Sequence, residues 1–219
     1  MTVVKICGLT TLDDALAAAE AGAGLLGFVL VASSPRYVAP ERACEIVAAL
    51  RRRGVRQPCV GVLAGLPLER VLAIRQECGF DLIQLHDEVN VDAARALYPN
   101  CIVARRVSGL ESLAALSRWP AYAYLLDARG TDRRTVRSGP WDWRLLRRAR
   151  PPGRIIVAGG LVPENVAEAV REARPWGVDV ASGVENTPGR KNRAAMERFI
   201  ARVCEVDSES SGDRGKSAS

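Results

Sequence analysis

The 219 residues contain a single histidine, His86, and no two cysteines at C-x-x-C spacing. A structural zinc site therefore has no ligand set, and no metal is expected. Six cysteines are present, at Cys7, Cys44, Cys59, Cys78, Cys101 and Cys204, in a chain too large to depend on disulfide staples. The expectation is reduced thiols in the cytoplasm. No apolar run approaches the ~20 residues of a membrane span, and no charged-then-apolar leader opens the chain, so no membrane partner is expected. Aromatic residues make up only 5%. The formal charge of +6 comes largely from Arg51 to Arg53, Arg133 to Arg137 and Arg147 to Arg150, with no aromatics interleaved. Base-stacking platforms are missing and no nucleic-acid partner is expected. The first turn reads Gly8-Leu9-Thr10-Thr11, so the G-x-G-x-x-G of a dinucleotide-binding fold is absent too.

What is present is alternation. Val3 to Ile6 is a short β-branched run, and Thr10 to Gly22 reads as a helix with Asp13 and Asp14 in its first turn. The apolar run Leu25 to Val31 suits a strand buried on both faces. Pro40 to Arg53 is helical, with Pro at its start and Gly54 beyond its end. Strands follow at Cys59 to Leu63, Leu82 to Leu85, Ile102 to Arg106, Ala121 to Asp127, Arg154 to Ala158 and Val178 to Ala181. Helices alternate with them at Pro67 to Cys78, Val91 to Leu97, Leu110 to Arg118, Trp141 to Arg148, Pro163 to Arg171 and Arg193 to Val203. About eight β–α units in roughly 200 residues predict a compact (β/α)8 barrel, a TIM barrel, as one domain over residues 1–204. A doubly wound sheet usually stops near five or six strands and is disfavoured. Residues 205–219 are Ser, Gly and charge, and are expected to form a disordered tail.

In such a barrel, chemistry sits where strands end and loops to helices begin. Cys7 closes the first strand two residues above Lys5, and a neighbouring ammonium favours the thiolate. Taken alone, Cys7 reads rather as a small buried hydrophobe, and it is the rest of the chain that reverses this. The sixth strand ends Tyr124-Leu125-Leu126-Asp127, and parity places Asp127 on the lumen face with Leu125 and Ala123. A carboxyl and a thiol at one barrel mouth make an acid/base pair. Gly159 and Gly160 follow the seventh strand, and Ser182 and Gly183 the eighth. Glycines in these two slots let backbone N–H groups approach a phosphate.

Several stretches, in order and at barrel spacing, carry a family resemblance. They are Lys5-Ile6-Cys7-Gly8-Leu9-Thr10, Gly27-Phe28-Val29, Ser34-Pro35-Arg36-Tyr37-Val38, Val60-Gly61-Val62, Gln84-Leu85-His86, Leu125-Leu126-Asp127, Ala158-Gly159-Gly160-Leu161, Pro163-Glu164-Asn165-Val166, Val180 with Gly183-Val184-Glu185, and Pro188-Gly189. From Lys5 to about Ile200 the chain resembles the phosphoribosylanthranilate isomerases of tryptophan biosynthesis. The resemblance implies an Amadori rearrangement of N-(5-phosphoribosyl)anthranilate without cofactor or metal. It gives Asp127 the part of general acid, Cys7 that of base, and Arg36 the aryl carboxylate. His86 fits the mouth of the fourth strand or a hydrogen-bonded structural role, and is left out of the catalytic set. The expected partner is a small phosphorylated molecule, and the expected assembly a monomer or homodimer.

The departures lie in the loops. The family commonly carries a Gly-Gly-Thr-Gly loop before Phe-Asp-Trp, whereas this chain has residues 131–140, with Arg133, Arg134 and Arg137, before Trp141-Asp142-Trp143. The family's Phe-Val-Asn on strand three is Leu63-Ala64-Gly65, and the glycine after His86 is Asp87. These changes leave open a paralogue acting on another N-phosphoribosyl aryl amine, or a non-catalytic anion-binding barrel. A Schiff-base aldolase would need an interior lysine near the mouth, and Lys5 is the only lysine in a predicted strand.

Overall fold

The computed structural model describes residues 1–86, 90–107, 109–127 and 143–212. Eight parallel strands hydrogen-bond in sequence order, and β1 (Val3–Cys7) pairs with both β2 (Leu25–Val29) and β8 (Gly177–Val180), so the sheet closes. Between them lie β3 (Cys59–Ala64), β4 (Leu82–His86), β5 (Cys101–Arg106), β6 (Ala123–Asp127) and β7 (Ile155–Ala158). The helices are α1 (Leu12–Glu20), α2 (Pro40–Arg52), α3 (Leu68–Cys78), α4 (Val91–Leu97), α5 (Leu110–Ala114), α6 (Arg144–Ala149), α7 (Val166–Ala173) and α8 (Arg193–Gly212). The expected barrel is the observed one, and closure rules out the doubly wound sheet.

Two apolar layers follow from the alternation of strand side chains. Val4, Ile6, Leu26, Phe28, Leu63, Ile83, Leu126 and Val157 belong to the large cluster that joins sheet to helices. Leu25, Val60, Leu82, Ile102, Ala104, Ala123, Leu125, Ile156 and Ala158 form a second cluster filling the lumen. Strands buried on both faces must be apolar throughout, which is why they stand out as continuous runs.

Two expectations need correction. The tail does not begin at 205, because α8 continues to Gly212. Its buried stripe Met196, Phe199, Val203 extends to Val206 at helical spacing, and Asp207 accepts hydrogen bonds from the backbone N and the hydroxyl of Thr2. Residues 213–219 lie outside the described residues. Nor are all six cysteines reduced: Cys44 of α2 and Cys78 of α3 form a disulfide across the helix pair. The spacing of cysteines along the sequence says nothing of two helices laid side by side.

Candidate active site

Cys7 is the last residue of β1 and Asp127 the last of β6, so both stand at the carboxyl-terminal mouth. Cys7 is 7% exposed, while Asp127 is half-buried with Ala123 and Leu125 beneath it on the lumen face. Strands β7 and β8 separate the two. The mouth thus carries a thiol and a carboxyl on opposing parts of its wall, as alternation predicts. His86 ends β4 on the same rim, half-buried.

Below Cys7, Lys5 is fully buried and donates to Asp179 Oδ1 of β8 at 2.7 Å. Burial pushes the Cys7 thiol up, and the Lys5 ammonium, hydrogen-bonded to it, pulls the other way without fully offsetting. Burial also disfavours the Lys5 ammonium, but Asp179 and Cys7 together hold its pKa above the usual value. A permanently charged, enclosed amine does not suit Schiff-base chemistry, which argues against the aldolase alternative. Gly27 makes the arrangement possible: a Cβ there would come within 3.0 Å of Cys7 Sγ and 3.1 Å of Lys5 Nζ.

Arg36, in the loop after β2, reaches Gly8. A Cβ on Gly8 would lie 2.5 Å from Arg36 Cδ, so the residue following Cys7 must be small for the arginine stem to cross it. Arg36 Nε donates to Glu185 Oε1 and Oε2 at 2.9 and 3.1 Å, and Nη2 donates to Oε2 at 2.7 Å. Glu185 also accepts from Lys191 Nζ at 2.8 Å and from the Gly189 amide at 3.3 Å. Burial pushes the Glu185 carboxyl up, but the donors from Arg36 and Lys191 outweigh it and keep the group below its usual range. Glu185 and Lys191 sit on a hairpin, β9 (Glu185–Thr187) and β10 (Arg190–Lys191), that follows β8. Thr10 ties the hairpin down by donating to the Gly189 carbonyl at 2.6 Å.

The two glycine loops meet. A Cβ on Gly183 would fall 1.9 Å from the Leu161 carbonyl oxygen, so the loop after β8 packs directly on the backbone of the loop after β7. Gly159 and Gly160 adopt φ values of 93° and 69°. Asn165 fixes this turn: its Oδ1 accepts from the Val162 amide at 2.9 Å and its Nδ2 donates to the Gly160 carbonyl at 3.1 Å. Ser182 opens a short 3-10 turn, Ser182–Val184, and is exposed. The four residues expected to hold phosphate are therefore brought together on one side of the mouth, after the first and second strands beyond that of Asp127. The expected arginine loop, residues 131–140, and Asp87 lie outside the described residues.

A model of the family described as N-(5'-phosphoribosyl)anthranilate (PRA) isomerase matches residues 4–202. The chain belongs to that family. It is similar to the N-(5'-phosphoribosyl)anthranilate isomerase of Geobacter sp. strain M21, with 45% identity over 201 residues, 92% of this chain and 97% of the relative. Among solved structures, phosphoribosyl anthranilate isomerase from Thermus thermophilus is 38% identical with a TM-score of 0.80, covering 94% of this chain and 100% of that one. A phosphoribosyl anthranilate isomerase in complex with reduced 1-(o-carboxyphenylamino)-1-deoxyribulose 5-phosphate is 33% identical, with a TM-score of 0.79 and the same coverage. Monomers of the dimeric enzyme from Thermotoga maritima match at 34% identity and a TM-score of 0.81, again over 94% and 100%.

Against this family frame, four polar residues of the site escaped the reading of individual positions. Asp179 was hidden in the strand Gly177–Val180, where an acid flanked by Val178 and Val180 is the available signal. Glu185 lies in the stretch Gly183-Val184-Glu185, where the neighbouring residues assign it no role. Lys191 follows Pro188-Gly189 in a polar stretch that resembles a surface turn. Gln84 is buried on the lumen side of β4, and its Oε1 has no donor among the described residues. Among the described residues no group of three or more His, Cys, Asp or Glu could hold a metal ion, and no helix is long and apolar enough to cross a membrane.

Proposed function

We propose that this chain is a phosphoribosylanthranilate isomerase, converting N-(5-phosphoribosyl)anthranilate to 1-(2-carboxyphenylamino)-1-deoxyribulose 5-phosphate in tryptophan biosynthesis. The observation that carries the reading is the pairing of Cys7 and Asp127 at one barrel mouth, within a family match that spans residues 4–202. Asp127 protonates the ribose ring oxygen, and the C1–O bond breaks to leave a protonated imine. The imine acidifies the neighbouring carbon, and Cys7, as thiolate, removes its hydrogen. The resulting enolamine takes a proton at C1 and relaxes to the ketone, so the substrate is oxidised at one carbon and reduced at the next. No external oxidant or cofactor enters this balance. Arg36 meets the aryl carboxylate, for which a planar guanidinium is suited. Amides of the Gly159-Gly160 and Ser182-Gly183 loops take the phosphate. The enzyme works in the cytoplasm as a monomer or homodimer. The dimeric Thermotoga relative supports the second state.

The test is a fluorescence assay on freshly prepared phosphoribosylanthranilate, with aniline and other aminobenzoate analogues alongside to expose a paralogue's preference. Cys7→Ala and Asp127→Asn are each expected to fold and to lose on the order of 10²- to 10⁴-fold in rate, the usual contribution of one proton-transfer group. Near-native turnover by either variant overturns the acid/base assignment. A wild-type protein inert on every N-phosphoribosyl aryl amine overturns the function.

A further inference from the structure

Lys191 is an anomaly in a site whose other charges pair off. Its side chain is 0% exposed, and its ammonium donates to Glu185 Oε1 at 2.8 Å and to the Ala181 carbonyl at 3.0 Å. Glu185 is already held by Arg36 through three hydrogen bonds, which satisfies one guanidinium edge and both carboxylate oxygens. Two cations therefore share one carboxylate, leaving the trio with one uncompensated positive charge. The neighbouring acids Asp179 and Asp14 do not cancel it, and Cys7 sets a negative charge against Lys191 only when ionised. Lys5 and Asp179 pair with each other at 2.7 Å, and Asp14 bonds the Lys191 backbone amide rather than the ammonium.

The only member of the trio open to solvent beyond a few per cent is Arg36, at 18%, against 4% for Glu185. With its Nε and Nη2 turned to Glu185, the guanidinium keeps the Nη1 side, which has no acceptor among the described residues. A planar oxyanion fits the remaining Nη1–Nη2 fork. In a two-member Arg36–Glu185 pair the charges would cancel, and that fork would offer hydrogen bonds with little net attraction. In a three-member cluster the excess charge lies behind it, in a poorly hydrated wall where Coulomb attraction is weakly screened.

We propose that Lys191 is a specificity-determining positioning residue: by sharing Glu185 it keeps Arg36 net cationic, and so selects an aryl amine bearing a carboxylate. This rests on the isomerase reading and names its selectivity. Lys191 itself does not touch the substrate.

The experiment compares acid with neutral isostere inside one preparation. Dissociation constants of anthranilate and of 2-aminobenzamide are measured by calorimetry on the wild type, Lys191→Met and Lys191→Arg. The kcat/KM for phosphoribosylanthranilate and for phosphoribosylaniline is measured on the same samples. The wild type is expected to favour acid over amide by about tenfold or more, as a charge-assisted contact does. Lys191→Met is expected to bring that ratio near unity and to raise KM for phosphoribosylanthranilate about tenfold relative to phosphoribosylaniline, while any loss through the influence of Lys191 on Cys7 falls on both substrates alike and cancels in the comparison. Lys191→Arg, which keeps the charge, restores part of the ratio. Because the ratio cancels the folded fraction, partial misfolding does not mimic the result. An unchanged ratio in Lys191→Met, or a wild-type ratio near unity, overturns the proposal. If the wild type turns over no phosphoribosyl aryl amine, the isomerase reading fails by itself, while the acid-to-amide ratio still decides the part played by Lys191.

Discussion

Cys7 poses the central problem at the scale of single residues, because a base in a dry barrel mouth must ionise against burial. Burial raises its pKa, Lys5 and Lys191 lower it, and Asp179 raises it again. The sign of the resulting pH dependence follows directly. The thiolate is the competent base, so kcat/KM of the free enzyme rises with pH through the Cys7 pKa. Lys5→Met removes the largest opposing influence and leaves burial and Asp179 acting together. The limb is then expected to move to higher pH, by at least about one unit for the loss of an adjacent opposite charge. The alkylation rate of Cys7 followed against pH gives the same quantity without turnover. A folded Lys5→Met protein whose limb and alkylation profile stay in place would show that the ammonium does not tune the thiol. Parity along β1 put Lys5 and Cys7 on one face from the sequence alone. What stayed hidden was Asp179, because partners on β1 and β8 lie 174 residues apart and meet only on closure.

Among the elements, legibility tracked burial. Eight strands could be read because both faces are covered, making each a continuous apolar run, and boundaries moved by only a residue or two. The hairpin of β9 and β10 could not be read. It is two and three residues long, polar, and built around Pro188-Gly189, so it looks like a surface turn. Lysines are almost never fully buried without a partner, and the partner of Lys191 is itself on that hairpin. The glycine loops show a subtler difference. Their positions were anticipated as space for a ligand, yet Gly183 is first of all space for Leu161. Gly183→Ala is expected to push the two loops apart, costing about 1–3 kcal/mol as overpacking does, and to raise the inhibition constant of inorganic phosphate in parallel. Gly160→Ala is the contrast. Nothing lies within 4 Å of its Cβ position, but φ is +69°, so the cost is backbone strain of about 1–2 kcal/mol without loop displacement. Equal effects of the two substitutions on phosphate binding would mean that loop packing does not shape the anion site.

At the scale of the whole molecule, a closed barrel joins the beginning of the chain to its end, and α8 is where that join is reinforced. The helix covers β1 with Met196, Phe199, Ile200 and Val203, then continues one further turn to bury Val206 and receive Thr2 on Asp207. The last turn is Ser- and acid-rich, which is why it reads as tail in the sequence, since a single apolar residue carries its whole packing contribution. Ending the chain after Cys204 removes that residue and the Asp207 latch together. Full burial of one valine is worth roughly 1.5–3 kcal/mol, and a partly exposed carboxylate hydrogen bond about 1 kcal/mol more. The exposed Arg171–Glu209 pair at 2.9 Å adds little, since such pairs contribute ~0–1 kcal/mol. The shortened protein is therefore expected to lose about 2–4 kcal/mol, visible as a Tm lower by several degrees. Its kcat at a temperature where it remains folded should match that of the full chain, because the turn removed is tied to Thr2 immediately before β1, at the opposite end of that strand from Cys7. Val206→Ala separates the contributions: it should reproduce about half of the loss while leaving the latch intact. Unchanged Tm after truncation would mean that the turn beyond Cys204 is carried passively, and that closure between β1 and β8 stabilises the barrel without it.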